Sequence, residues 1–304
     1  MPAAQLFFVT GKGGVGKTTV AAALALRLAR QRRRVLLVET AADRSLAALF
    51  GAAELGVEPT RLAGSLSAVR IEQRGLMESY FRRLLRLPFL TRRLFASQTF
   101  QAVAAAAPGV IEFVVLEHLL QWTEPGRFGR RAAYDAVVVD GPASGHAVRW
   151  LRAPRQLGRL VPAGPISGGI GRLQKLLEDG RRTRVVLVAI ADEMAVAELL
   201  ETRAALAPLG LALTAPVLNR AWPRRFSNAD AATIAARPAD EPVVAAARLA
   251  IAARREAERQ RARLVRACGG VVVLAERPAA AIDADGLAAM GRDLGGLAGD
   301  GDDA

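Results

Sequence analysis

Nine residues near the start of the chain carry its strongest chemical signal. Gly11-Lys12-Gly13-Gly14-Val15-Gly16-Lys17-Thr18-Thr19 fits the pattern G-x-x-x-x-G-K-[S/T]. Glycines in that pattern let backbone N–H groups turn inward around a polyphosphate, and a helix starting behind them adds partial positive charge. In this reading Lys17 contacts the β- and γ-phosphates of ATP. The Thr18 hydroxyl ligates Mg2+, and Thr19 reaches the α-phosphate. The competing reading is a glycine-rich turn that binds nothing. Against it stand an apolar β-rich run just before the loop (6–9) and an Ala/Leu helical run just after it.

A second group of residues complements the first. Tyr134-Asp135-Ala136-Val137-Val138-Val139-Asp140 is a buried-strand pattern ending on an acid. A carboxylate in that place acts on the shell of a phosphate-bound Mg2+ through water, so Asp140 joins Thr18 as a metal candidate. The segment runs on through Gly141-Pro142-Ala143-Ser144-Gly145-His146-Ala147-Val148-Arg149.

The rest of the chain must position these groups. It has 304 residues, 52% hydrophobic and 23% charged, which excludes a disordered polypeptide. A single cysteine, Cys268, excludes a disulfide framework and any multi-cysteine metal site. The formal net charge of +13 suits an anionic partner. Only three of the 42 basic residues are lysines: Lys12, Lys17 and Lys175. Two of them fall in one glycine loop of a chain that otherwise uses arginine. The first ten residues lack a basic signal-peptide region. The longest apolar stretch, 102–120, is broken by Pro108, Gly109, Glu112 and Glu117, so it is no membrane span and a cytoplasmic location is expected.

Continuous apolar runs at 6–9, 35–39, 69–71, 136–140, 185–190, 215–218 and 271–274 predict strands covered on both faces. Helical patterns lie between them, at 17–31, 193–207 and 243–267. This alternation predicts an α/β fold with a doubly wound, mainly parallel sheet. Between 75 and 122 the pattern is helix after helix. Met77, Tyr80, Phe81, Leu84 and Leu85 recur at helical spacing there. We read 1–304 as one domain with a helical insertion at 75–122, and the glycine-rich acidic tail 295–304 as disordered.

Lys12 and the Asp140 segment together carry a family resemblance. A second lysine inside the glycine loop is similar to the deviant P-loop group that includes MinD, ParA, the nitrogenase iron protein and the arsenite-pump ATPases. The resemblance implies that Lys12 reaches across a dimer interface to the partner's nucleotide. Asp140, Gly145, His146 and Arg149 match, in register, the second switch Asp-Thr-Ala-Pro-Thr-Gly-His-Thr-Leu-Arg of the ArsA family, which contains the guided-entry ATPase for tail-anchored membrane proteins. Pro108-Gly109-Val110-Ile111-Glu112, Glu193-Met194-Ala195-Val196-Ala197-Glu198 and Val217-Leu218-Asn219 resemble further family segments. By resemblance, Asn219 recognises adenine through its amide, and the loop holding Pro278 packs on the adenine. Asn219 is also open to reading as an ordinary turn residue.

The pattern departs at the first switch. The family reads Ser-Thr-Asp-Pro-Ala-His-Ser-Leu there, and its Asp positions the attacking water. This chain reads Glu39-Thr40-Ala41-Ala42-Asp43-Arg44-Ser45-Leu46, with Ala41 at the catalytic position. Glu39 and Asp43 are the candidate substitute carboxylates. Asp43 reads first as a cap for a helix at 45–50 and second as catalytic. The paired cysteines of the zinc-bridged and arsenite-stimulated members are missing, so neither zinc nor arsenite binding is expected.

These features predict a slowly hydrolysing, Mg-ATP-dependent homodimeric switch acting on a protein or membrane client. Two alternatives stand beside it. One is an ATP-gated binding module that does not hydrolyse. The other is a ParA/MinD-type positioning ATPase on DNA or membrane. The aromatic and aliphatic stripe of the insertion (Tyr80, Phe81, Phe89, Leu90, Phe95, Phe100) reads first as core and second as a client groove. Arginine clusters at 32–34, 82–93, 181–184 and 254–266 read as solvated faces. No DNA-reading motif is visible, so sequence-specific nucleic-acid binding is not expected.

Overall fold

A computed structural model of the chain describes residues 5–40, 45–52, 54–85, 97, 109–124, 132–163, 166–238 and 240–298. The apolar runs become strands because their β-branched and aliphatic residues are shielded on both faces. In β1 (Gln5–Gly11), Leu6 to Val9 are buried, and so are Val137, Val138 and Val139 of β5 (Ala136–Ala143). The remaining strands are β2 (Val35–Glu39), β3 (Thr60–Ala63), β4 (Leu66–Arg70), β6 (Thr183–Ile190), β7 (Val217–Ala221) and β8 (Val272–Ala275).

Among the described residues these form one eight-stranded sheet in the order β3-β4-β2-β5-β1-β6-β7-β8. Every adjacent pair is parallel except β3 and β4. The chain therefore winds to one side of β1 and then to the other. In such sheets a crevice opens at the carboxyl ends of the strands where the winding reverses. The glycine loop follows β1, at that place.

Helices cover both faces. In α1 (Lys17–Arg30) residues Val20 to Leu26 and Leu28 are buried. α2 (Ser45–Leu49) follows β2, and the insertion contributes α3 (Gln73–Leu85) and α4 (Val110–Thr123) to the described structure. Beyond β5 come α5 (Ser144–Leu160), α6 (Ser167–Glu178), α7 (Glu193–Leu206), α8 (Asn228–Ala236), α9 (Pro242–Cys268), α10 (Ala284–Asp293) and α11 (Gly295–Ala298). The stripe on α3 faces inward. Met77 is buried, and Tyr80 packs edge-on to Phe113 of α4 with ring centroids 5.8 Å apart. These residues are core rather than groove. The side chains of Leu84 and Leu85, and all of Phe89, Leu90, Phe95 and Phe100, lie outside the described residues.

The structure corrects the sequence expectations in three places. β3 was not anticipated. Its residues are exposed or half-exposed, and it is joined to β4 by only Gly64 and Ser65, too short a link for anything but an antiparallel hairpin. The tail does not fray from 295. Leu294 and Leu297 are buried, and the Leu297 carbonyl accepts a hydrogen bond from Arg184 at 2.8 Å, so 295–298 dock as a helical turn. Strand β5 also runs on to Ala143 and passes directly into α5. The Thr10 hydroxyl donates to the Pro142 carbonyl at 2.7 Å and holds that extension against β1.

Candidate functional site

The glycine loop is built from close approaches. A Cβ on Gly11 would collide with the Val188 carbonyl of β6, so the strand can turn there only without a side chain. Gly16, at φ 87°, occupies the left-handed region just before α1, and a Cβ on it would collide with Asn219 Nδ2. Between them, Gly13 and Gly14 are exposed with open space around their α-carbons. The loop has the cradle that the pattern requires, and it opens to solvent.

Lys17, the first residue of α1, donates from Nζ to the Lys12 carbonyl at 3.0 Å. The Thr18 hydroxyl donates to Asp140 Oδ2 at 2.7 Å. The two metal candidates, 122 residues apart in sequence, are thus adjacent. Thr40 donates to the Asp140 main-chain carbonyl at 2.6 Å. With Thr10 on Pro142, three hydroxyls from β1, α1 and the end of β2 fasten the segment 140–142. One hydroxyl and one carboxylate fit a hard divalent cation whose remaining ligands are phosphate and water oxygens. Among the described residues no group of three or more His, Cys, Asp and Glu could hold a metal without such a substrate.

Lys12 lies along the chain's own surface. Its Nζ is 4.0 Å from Glu198 Oε2 of α7, and both side chains are more than one-third exposed. Glu198 Oε1 accepts a hydrogen bond from the Ser144 hydroxyl, the first residue of α5. One carboxylate therefore contacts the glycine loop and the segment that follows Asp140. The sequence placed Glu198 only within a family-like segment and gave it no role. Its signal was weak, since a glutamate on an amphipathic helix reads as solvated.

Asn219 is the central residue of β7 and is buried. Its Nδ2 donates to the Val15 carbonyl at 2.9 Å, so its amide supports the glycine loop from below. Pro278 is exposed at the carboxyl end of β8, the strand beside β7, and Thr19 is half-buried on the first turn of α1. His146 is exposed in the first turn of α5. Arg149, one turn on, pairs with Glu112 of α4 at 3.0 Å, which joins the two family-like segments on adjacent helices.

Ala41 and Asp43 lie outside the described residues. Glu39 is fully buried and committed. Oε1 accepts the Leu46 amide at 3.0 Å, and Oε2 pairs with Arg70 Nε of β4 at 3.0 Å. Arg70 also bonds Glu54, and these two carboxylates raise its affinity for its proton further. Glu39 thus caps the first turn of α2, part of the work the sequence assigned to Asp43. Both of its oxygens are engaged within the fold.

Comparison with known proteins agrees with this arrangement. The family model described as anion-transporting ATPase matches residues 4–163, a span that contains both the glycine loop and Asp140. ATPase BagA of Mycobacterium tuberculosis is 30% identical over 236 residues, covering 76% of this chain and 69% of that protein. An arsenical pump-driving ATPase of Escherichia coli is 29% identical over 235 residues, 71% of this chain but 39% of the pump protein. A putative arsenical pump-driving ATPase of Aquifex aeolicus is 32% identical over 160 residues, 52% of each chain. With a phosphate-cradling loop at the switch point of a parallel sheet and a family model matching more than half its length, this chain belongs to the anion-transporting ATPase family and is an ATP-binding P-loop ATPase.

Proposed function

We propose that the chain is an ATP-driven dimeric switch of this family, closing two copies over two Mg-ATP and passing the nucleotide state to a protein or membrane client. The observation that carries the reading is the Thr18–Asp140 contact. It places a hydroxyl from the loop helix and a carboxylate from the neighbouring strand side by side at the cradle. Backbone amides of 13–19 and the Lys17 ammonium hold the triphosphate. To do so Lys17 exchanges its bond to the Lys12 carbonyl for phosphate oxygens. Thr18 and Asp140 hold Mg2+, which when bound neutralises charge on the phosphates. Asn219 braces the loop and offers its carbonyl edge toward the base, with the Pro278 loop flanking it.

Lys12 leaves Glu198 to reach the nucleotide of the other subunit. The cis ion pair is exposed and worth at most about 1 kcal/mol, so exchanging it for a phosphate contact is inexpensive. Loss of the pair frees one side of Glu198, which also binds Ser144. The amino end of α5 then senses closure, and the Arg149–Glu112 pair carries its movement to α4 of the insertion. Hydrolysis is slow, because Ala41 stands where a water-orienting Asp would and Glu39 is occupied.

That same occupation of Glu39 favours a second reading, an ATP-gated binding module with negligible turnover. One experiment separates the two. ATP turnover and oligomer size are measured together for wild type, Lys12→Ala and Asp140→Asn. The switch requires ATP-dependent dimers and measurable phosphate release in wild type, with dimers lost in Lys12→Ala and release lost in Asp140→Asn. Dimers whose phosphate release equals that of Asp140→Asn select the module. Unchanged dimers in Lys12→Ala overturn the cross-subunit role.

A further inference from the structure

A cavity of about 310 Å³ opens where the chain leaves β7, between residues 223–228 and the middle of α9. Arg224, Arg225, Arg254 and Arg255 line it, and Glu258 is the one acid among its lining residues. Two of the four arginines are engaged. Arg254 pairs with Glu258 at 2.8 Å and donates to the Trp222 carbonyl at 3.1 Å. The Arg225 guanidinium lies over the Trp222 ring, 5.8 Å from its centroid. The side chains of Arg224 and Arg255 make no hydrogen bond or ion pair with any described residue.

This arrangement differs from the exposed arginine–glutamate pair on α3. Arg82 lies beside Glu78 one turn away on the same exposed helix face. Here guanidiniums from two separate segments converge on one concavity with a single acid between them. Like charges confined in this way repel, and an anion with several charges offsets the repulsion. The planar fork of arginine matches phosphate oxygens two at a time. At the amino end of α8, Ser227 and Asp230 cap each other reciprocally. No residue of the glycine loop lines the cavity, which begins four residues beyond Asn219.

We propose that this cavity binds a multivalent phosphate-bearing anion, at a site separate from the triphosphate cradle. The anion is a soluble polyphosphate or the phosphorylated headgroup of a lipid, the two sources of the same chemistry. The full-length protein is titrated with inorganic tripolyphosphate by calorimetry and by tryptophan fluorescence, to which Trp222 contributes. Wild type is compared with Lys17→Ala and with the double variant Arg224→Gln/Arg255→Gln, with the single variant Arg255→Glu as a second probe of the same surface. Melting temperatures check that each variant is folded.

Two classes of site are expected in wild type. Lys17→Ala removes one, and the arginine variants weaken the other at least about tenfold. The second class also weakens as salt is raised. Co-sedimentation with phosphatidylcholine vesicles containing phosphatidic acid, lost in the double variant, supports the site and assigns it to a lipid headgroup. Tripolyphosphate binding without co-sedimentation supports it and assigns it to a soluble anion. A single class of site, abolished by Lys17→Ala and unaffected in both arginine variants, overturns the proposal.

Discussion

Strands β2 and β5 lie side by side, and their shared register closes on two carboxylates, Glu39 opposite Asp140. Both side chains are buried to the same degree. Their partners set them apart. Glu39 holds a cation from β4 on one oxygen and a backbone amide of α2 on the other, so its charge is compensated within the fold. Asp140 meets the hydroxyl of Thr18, in the first turn of the helix that follows the glycine loop. A buried acid at the carboxyl end of a parallel strand is therefore not by itself a catalytic group. What the neighbouring loop presents to it decides whether it fastens the scaffold or faces a substrate.

The largest effect expected of that difference is on turnover. Asp140→Asn keeps the shape of the side chain and removes its charge, so steady-state phosphate release falls about 100-fold or more. Glu39→Gln stays within about tenfold of wild type. Equal losses in the two variants would erase the distinction.

Next comes stability. Arg70→Ala leaves the Glu39 carboxylate buried without its cation, at a cost of about 3 kcal/mol. A thermal melt reads that as a drop of several degrees, about 5–10 °C. Adding Glu39→Gln to Arg70→Ala restores part of it. An unaltered melting temperature in Arg70→Ala would remove the scaffold role of Glu39.

A smaller effect appears with pH on the same side of the molecule. His118 shares a cavity with Arg70 and packs edge-on to Trp122 with centroids 4.5 Å apart. Burial, aided by the positive charge of Arg83, lowers its pKa to about 4. The unfolded chain takes up that proton near pH 6.5, and the folded chain not until about pH 4. The neutral histidine thus contributes stability that is complete above about pH 6.5 and lost as pH falls toward 4. Chemical denaturation of His118→Phe should show a shallower decline across that window, by about 1–2 kcal/mol at pH 5. Parallel pH profiles would show that His118 binds its proton equally well in the folded and unfolded chain.

The smallest effect concerns Lys12. Glu198→Gln leaves stability unchanged, since the ion pair it breaks is exposed. It lowers the ATP concentration needed for half-maximal dimerisation about threefold to fivefold, which corresponds to about 1 kcal/mol or less. A rise instead would mean that Glu198 assists closure rather than holding Lys12 back.

Much of the fold was legible because it rests on local pattern. Continuous apolar runs named seven of the eight strands, and 17–31, 193–207 and 243–267 each lie within a residue of an observed helix end. The missed strand, β3, has no buried face to leave a pattern in the sequence. The candidate site was legible where residue types are constrained by backbone geometry, as at Gly11 and Gly16, or by strand-end position, as at Asp140. Glu198 and Arg70 were not, because their roles depend on partners 54 and 31 residues away. No local spacing encodes such distances. The docked turn at 295–298 was not legible, because composition describes glycine-rich flexibility but not the packing that buries Leu297.

The chain's local sequence determined that a phosphate-cradling loop follows a buried strand and that an acid closes another. Both features arise from short-range constraints of backbone sterics and hydrophobic burial. Tertiary structure alone decided which acid does which work. Register across the sheet brought Glu39 and Asp140 to the same level, and packing then supplied Arg70 to the one and Thr18 to the other. Burial is written residue by residue, but the compensation of a buried charge depends on what the rest of the chain brings beside it.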